Sequence, residues 1–169
     1  MQRFVSLSLF LLLSPILAQA QEGQTPQFMA NATFAPSAVI SSGEATSTFY
    51  FGGGGEGLIY KGLGAGADIG YLFPKSDFKE GVGLLSTNGY YHFFTEGSSQ
   101  KLVPFATAGY SLGFREGTAN LVNFGGGVDY WFHEKAALRL EVRDNVWPGE
   151  CRCDPSVHFL MFRVGVVGR

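Results

Sequence analysis

Residues 62–73 read GLGAGADIGYLF, and their apolar character alternates with a period of two. The odd positions form an apolar face that ends in aromatic residues: Leu63, Ala65, Ala67, Ile69, Tyr71 and Phe73. The even positions hold glycines, Leu72 and one acid, Asp68. Because successive side chains of a strand point to opposite sides of a sheet, this pattern predicts a β-strand with one apolar and one small, polar face.

The same alternation recurs along the chain and predicts eight strands. We place them at residues 27–35, 46–55, 62–73, 82–94, 102–114, 121–132, 137–147 and 156–167. Their connections are short and rich in turn residues, so neighbouring strands should pair antiparallel as hairpins. Most of these strands reach the roughly 9–11 residues that cross a bilayer obliquely, and backbone groups in lipid must be paired. The sequence therefore predicts an all-β fold, a closed eight-stranded antiparallel up-and-down transmembrane β-barrel.

Composition excludes several other classes of protein. Hydrophobic residues make up 46% of the 169 residues and charged residues only 15%, which argues against intrinsic disorder and against a coiled coil. A net charge of −2 provides no basic surface for nucleic acid. We expect one domain, no nucleic-acid partner and no cofactor.

The amino terminus has the features of an export signal. Arg3 precedes an apolar run over residues 4–17, and Ala18-Gln19-Ala20 follows as a small-x-small cleavage pattern. We therefore predict a signal peptide over residues 1–20, a mobile leader over 21–26 and the barrel domain over 27–169.

Three stretches near the carboxyl end resemble a known family. Residues 124–132 (FGGGVDYWF), 138–144 (LRLEVRD) and 162–167 (FRVGVV) resemble the final strands of the outer-membrane beta-barrel domain family, the small OmpA-like eight-stranded class. Residues 104–110 (PFATAGY) resemble the strand before them. The resemblance implies a porin-like membrane protein of a Gram-negative-type envelope, located in the cell outer membrane. Its implied partners are outer-membrane lipid, the outer-membrane assembly machinery and periplasmic chaperones, and we expect a monomer.

The predicted apolar face carries aromatic residues near both ends of the strands. With both termini in the periplasm, one group lies at the outer rim and another at the inner rim: Tyr71, Phe73, Tyr110 and Phe114 outside, and Tyr91, Phe93, Tyr130 and Phe132 inside. Two aromatic belts are typical of a bilayer-spanning barrel.

The opposite face carries charges of both signs. Three acids and three bases occupy the alternate strand positions whose side chains should point into the barrel: Asp68, Asp129, Glu141, Arg139, Arg143 and Arg163. They could line a narrow pore for small solutes or pair as an ionic core. Eight strands enclose little more than their own side chains, which favours a packed polar interior. We therefore expect a structural or surface-interaction role, with the pore as an alternative.

Catalytic and metal signals are weak in the sequence. Residues 109–113 (GYSLG) match the nucleophile-elbow pattern, but they lie within a strand and no helix follows. His92 and His133 are placed at the inner rim and His158 at the outer rim, without metal-ligand spacing, so no metal site is expected. His158 near Asp144 and Ser156 leaves open a lipid-modifying enzyme of the lipid A deacylase or acyltransferase type, although we expect no enzyme.

The two cysteines, Cys151 and Cys153, fall in the last predicted outer loop. Export favours a disulfide between them, but a loop this short strains its geometry. Both the bridged and the reduced forms stay open.

Overall fold

The computed structural model describes residues 27–94, 101–149 and 155–169. They form eight antiparallel strands in chain order: β1 (Gln27–Ser41), β2 (Glu44–Tyr60), β3 (Leu63–Pro74), β4 (Val82–His92), β5 (Leu102–Phe114), β6 (Thr118–His133), β7 (Ala136–Trp147) and β8 (Val157–Gly168). A single helical turn, Phe78–Glu80, lies between β3 and β4. The predicted signal peptide, the leader, and the cysteine pair lie outside the described residues.

Each strand pairs with the next, and β1 pairs with β8, so the sheet closes into a barrel. Closure removes the free edges that an open sheet would present. This confirms the predicted closed eight-stranded architecture. Among the described residues, no helix is long and apolar enough to cross a membrane.

The first two strands extend further than predicted. β1 continues to Ser41 rather than ending at residue 35, and β2 runs over Glu44–Tyr60 rather than 46–55. Turn residues in the sequence predict the connection between the second and third strands at residues 57–61, but residues 57–60 belong to β2, so that prediction is wrong. The actual turn is Lys61-Gly62, where both residues adopt positive φ, as a tight hairpin requires.

The two ends of the barrel differ, and we name them by what they carry. The end with Gln27 and Arg169, which also carries the β2–β3 and β6–β7 turns, is called the terminal end. The opposite end, with the β1–β2, β3–β4 and β5–β6 connections, is called the loop end.

The exterior of the barrel is apolar over most of its strands. Ile69, Phe124 and Val166 are each more than half exposed, and many other large apolar side chains point outward beside them. Water-soluble proteins rarely expose such continuous apolar surface. The exterior is therefore suited to contact with lipid.

We expect an arginine at the middle of this exterior to be poorly tolerated. Val142 lies outward near the centre of β7. The change Val142→Arg should lower the free energy of unfolding in lipid by about 2–4 kcal/mol, the cost of a cation at the bilayer midplane. Urea titration in lipid vesicles measures this. Leu138→Arg, closer to the terminal end of the same strand, is the depth control and should cost less. Equal, small losses for both variants would contradict a lipid-facing belt.

Candidate functional site

The interior of the barrel is arranged in layers along its axis. At the loop end six buried side chains form an apolar layer: Ala35, Tyr50, Leu72, Leu84, Leu121 and Met161. Near the terminal end Met29, Ala137 and Val167 form a smaller one. Along β7 and β8 the charged residues lie between members of the two layers.

Tyr50 reaches its position because glycines face it. A Cβ atom on Gly70 would lie 2.3 Å from the Tyr50 hydroxyl oxygen, which is far inside contact distance. The missing side chains of β3 thus give the Tyr50 ring room inside the barrel. Arg163 lies over this ring, with its guanidinium carbon 5.4 Å from the ring centroid.

The first group of interior charges centres on Arg139. Its Nε and Nη2 donate to the two oxygens of Asp129 at 2.7 and 2.8 Å. Its Nη1 and Nη2 donate to the two oxygens of Glu56 at 3.0 and 3.1 Å. All three residues are at most 3% exposed. One guanidinium therefore binds two buried carboxylates, each through two hydrogen bonds, which is the geometry in which arginine binds carboxylates most strongly.

His92 completes the Arg139 group. Its Nε2 lies 3.0 Å from Glu56 Oε1, and its Nδ1 lies 3.9 Å from Asp129 Oδ2. The sequence placed His92 at the inner rim, but its side chain is buried inside the barrel because it shares the inward parity of β4.

A metal ion is the other group that such residues can hold. Glu56, His92 and Asp129 have donor atoms within 4.8 Å of one another. Arg139 already donates to all four carboxylate oxygens of this cluster. A metal ion would have to displace that guanidinium, so the donor set fits an ion-pair network better than a metal centre.

The second group joins Glu141, Arg143, Arg163 and Asp68. Arg143 Nε donates to Glu141 at 2.6 Å, and its Nη1 donates to Asp68 at 3.1 Å. Arg163 lies 3.2 Å from Asp68 and 3.4 Å from Glu141. Two arginines and two acids thus alternate around a closed ring of ion pairs.

Uncharged polar groups satisfy the remaining acceptors around Asp68. Asn88 Nδ2 donates to Asp68 Oδ2 at 2.8 Å, and the Tyr90 hydroxyl donates to the same oxygen at 3.2 Å. Arg143 Nη2 in turn donates to Tyr90 at 3.3 Å. The carboxylate of Asp68 is therefore held by two cations and two neutral donors, and this compensates for its removal from water.

The structure places inside the barrel all six charged residues predicted from the sequence, divided between these two groups, and it adds two members to them. Glu56 and His92 were missed: Glu56 because β2 was ended one residue too early, His92 because it was assigned to the rim. The even parity of β2, continued past Gly54, would have placed Glu56 inside the barrel. The interior then holds four carboxylates and three guanidinium groups, one more acidic than basic side chain.

The serine of the GYSLG pattern belongs to the interior as well. Ser111 is fully buried, donates to Asn145 at 2.9 Å and accepts from Asn123 at 2.8 Å. It also bonds Ser86 at 2.7 Å. Its hydroxyl is occupied by structural hydrogen bonds, in agreement with the expectation that this pattern is not a nucleophile elbow.

The predicted aromatic groups occupy the two ends of the outer surface. Tyr71, Phe73, Tyr110 and Phe114 point outward toward the loop end, and Tyr91, Phe93, Tyr130 and Phe132 toward the terminal end. At the loop end Phe78 joins them, stacked on Phe51 with ring centroids 6.2 Å apart. The Tyr71 hydroxyl donates to the Phe78 carbonyl at 3.0 Å, which ties the short helical turn to the barrel.

A cavity of about 710 Å³ opens at the terminal end. Its lining is mixed in charge and partly aromatic: Phe94, Lys101, Val103, Trp131, Phe132, His133, Glu134 and Arg169. Arg169 lies over Trp131, 4.3 Å from the ring centroid, and donates to the Glu134 carbonyl at 2.8 Å. Phe94 of the cavity lining stacks on His92 of the Arg139 group, with ring centroids 6.0 Å apart.

A separate polar cluster lies on the outer surface at the loop end. His158 Nδ1 lies 2.7 Å from Asp144 Oδ2, and Ser156 Oγ lies 3.4 Å from His158 Nε2. These are the three residues that the sequence left open as an enzyme site, and the structure brings them together in the order carboxylate, imidazole, hydroxyl.

Comparison with known proteins places the fold among solved membrane barrels. No family model and no curated protein matches the chain. Neisserial surface protein A is 18% identical, with a TM-score of 0.71, over 86% of this chain and 99% of that one. The N-terminal β-barrel domain of Pseudomonas aeruginosa OprF is 17% identical, with a TM-score of 0.60, over 87% and 98%. The attachment invasion locus protein Ail of Yersinia pestis is 13% identical, with a TM-score of 0.58, over 86% and 99%. The closed topology, the apolar exterior and these likenesses together show that the chain has the fold of a small eight-stranded transmembrane β-barrel.

Proposed function

We propose that the chain is a monomeric outer-membrane barrel with a sealed interior, which serves as a structural or surface-interaction protein rather than as a pore. The observation that carries this proposal is the enclosed ionic network. Each of its arginines and acids is at most 4% exposed, and each arginine contacts two carboxylates. Charges that line a conducting lumen would be solvated instead.

The orientation follows from the two ends of the barrel. Gln27 and Arg169 lie at the terminal end, which we place in the periplasm, so the loop end faces the outside. The described connections there are short, as in the two-residue turn at Ser42-Gly43. A partner that contacts these described connections would therefore meet the barrel close to the membrane. Two of the solved neighbours, described as a surface protein and as an attachment invasion protein, support a role at the cell surface.

The sealed interior predicts that the wild-type protein carries no current. In planar bilayers we expect no stepwise conductance, because the apolar layers and the ion pairs together fill the lumen. In the same samples, resistance of the strands to added protease verifies that the protein has inserted into the bilayer. Reproducible current steps with preference for cations would overturn the proposal, since the acidic side chains of the interior would then line a solvated pathway.

A further inference from the structure

The polar cluster at the loop end is built on the lipid-facing side of two paired strands. Asp144 of β7 and His158 of β8 both have the outward parity of their strands. The register pairs Asp144 with Leu160 and Val146 with His158, so the two polar side chains are diagonal neighbours on the outer surface. Ser156 precedes His158 by two residues and lies on the same side.

Stability does not account for this cluster. A partly exposed contact between a carboxylate and an imidazole contributes little to stability. A carboxylate and an imidazole on a lipid-facing surface are costly, and ionisable groups in such places commonly have a functional role. The neighbours of the pair are apolar: Phe124 is opposite Asp144 on β6, and Ile40 is opposite His158 on β1.

The geometry is that of an activated serine. Asp144 holds Nδ1 of His158 and so directs Nε2 toward Ser156, which is the order of groups in a Ser-His-Asp triad. The exposed fraction of the side chain rises from 17% for Asp144 to 41% for His158, and Ser156 is exposed as well. The 3.4 Å between Ser156 Oγ and His158 Nε2 is typical of a site without substrate, where catalytic hydrogen bonds are long.

We propose that Ser156, His158 and Asp144 form a hydrolytic site for carboxylic esters of membrane lipids. The site lies at the loop-end border of the apolar exterior, where acyl chains of the adjacent leaflet would lie along Phe124 and Ile40. At that depth the ester bonds of a lipid lie beside its headgroup. This inference rests on the proposed orientation, which places the loop end at the outer leaflet, and it is independent of whether the lumen conducts.

The reaction needs only water as a second reactant. Ser156 Oγ attacks the ester carbonyl carbon while His158 Nε2 takes the hydroxyl proton. The bond to the alcohol oxygen breaks, and His158 returns that proton to the leaving alcohol, which leaves an acyl ester on Ser156. A water molecule, deprotonated by His158, then attacks this ester. The fatty acid leaves and Ser156 regains its proton.

The test uses the full chain in detergent micelles, so it does not depend on orientation in a bilayer. A fluorophosphonate probe should label Ser156, located by peptide mass. Ser156→Ala should abolish the label, and His158→Asn should slow labelling at least about 100-fold, the usual contribution of a general base. Ser47→Ala, an exposed serine at the same end, is the matched control and should label like the wild type.

Release of fatty acid identifies the source of the ester. Wild-type protein is incubated with phosphatidylethanolamine vesicles and, separately, with vesicles that contain lipopolysaccharide. Hydrolysis of either lipid that Ser156→Ala abolishes supports the site, and the lipid that is cleaved names its substrate. Absence of both labelling and hydrolysis in wild-type protein, or their persistence in Ser156→Ala, would overturn the proposal. Either result would leave the conductance test of the sealed barrel unaffected.

Discussion

The change Arg139→Met is expected to lower the free energy of unfolding by about 3–5 kcal/mol, the usual loss when one partner of a buried ion pair is removed. Methionine fills much of the space of the arginine stem but carries no charge. Glu56 and Asp129 would then stay buried without the guanidinium that donates to both. Equilibrium urea titration in detergent micelles measures the loss.

A matched variant separates burial from charge. Arg169→Met removes a guanidinium at the exposed terminal end, where it lies over Trp131, and should cost no more than about 1 kcal/mol. The triple variant Arg139→Met, Glu56→Gln, Asp129→Asn should recover part of the stability, because it removes the unpaired charges as well. If Arg139→Met cost no more than Arg169→Met, the interior charges would have to be solvated.

The sequence predicted the strands and their parity well because both are local properties. Alternation predicts eight strands. Counting residues outward from the predicted turn at 133–135 also places Asp129 level with Arg139, and the two residues pair in the structure. Strand ends were predicted less well. Pro36 has no backbone N–H to donate, and the β1–β8 pairing is interrupted at residues 35 and 36, yet β1 continues beyond them. A local pattern cannot show that the pairing resumes at Ser37.

The membership of the ionic network depends on barrel closure, which no local pattern specifies. Arg139 and Glu56 are 83 residues apart, and Arg163 and Asp68 are 95 apart. Alternation along each strand shows that these side chains point inward. Which of them form ion pairs depends on the stagger between strands around the closed barrel. The cluster of Asp144, His158 and Ser156 on the outer surface also depends on how strands pair. Only the β7–β8 register shows that Asp144 and His158 are diagonal neighbours.

A second large effect is expected for Glu141, whose environment distinguishes a packed interior from a pore. Glu141 accepts from Arg143 at 2.6 Å and lies 3.4 Å from Arg163. In Glu141→Ala these two guanidinium groups would share the single carboxylate of Asp68. We expect a loss of about 3–5 kcal/mol in the free energy of unfolding, as for other broken buried pairs.

The conservative variant Glu141→Gln tests whether charge or hydrogen bonding is responsible. Its amide oxygen can still accept from Arg143 Nε, so it should lose less stability than Glu141→Ala while it removes the same negative charge.

A pore predicts a different result. Glu141 would then be solvated, both variants would keep the stability of the wild type, and both would shift the ion selectivity of a current already present in the wild-type protein. Urea titrations of the two variants, together with bilayer recordings of the same preparations, decide between the two outcomes. A stable Glu141→Ala with altered selectivity would refute the sealed interior. A destabilised variant that conducts only after the substitution would show that the ion pairs themselves close the lumen.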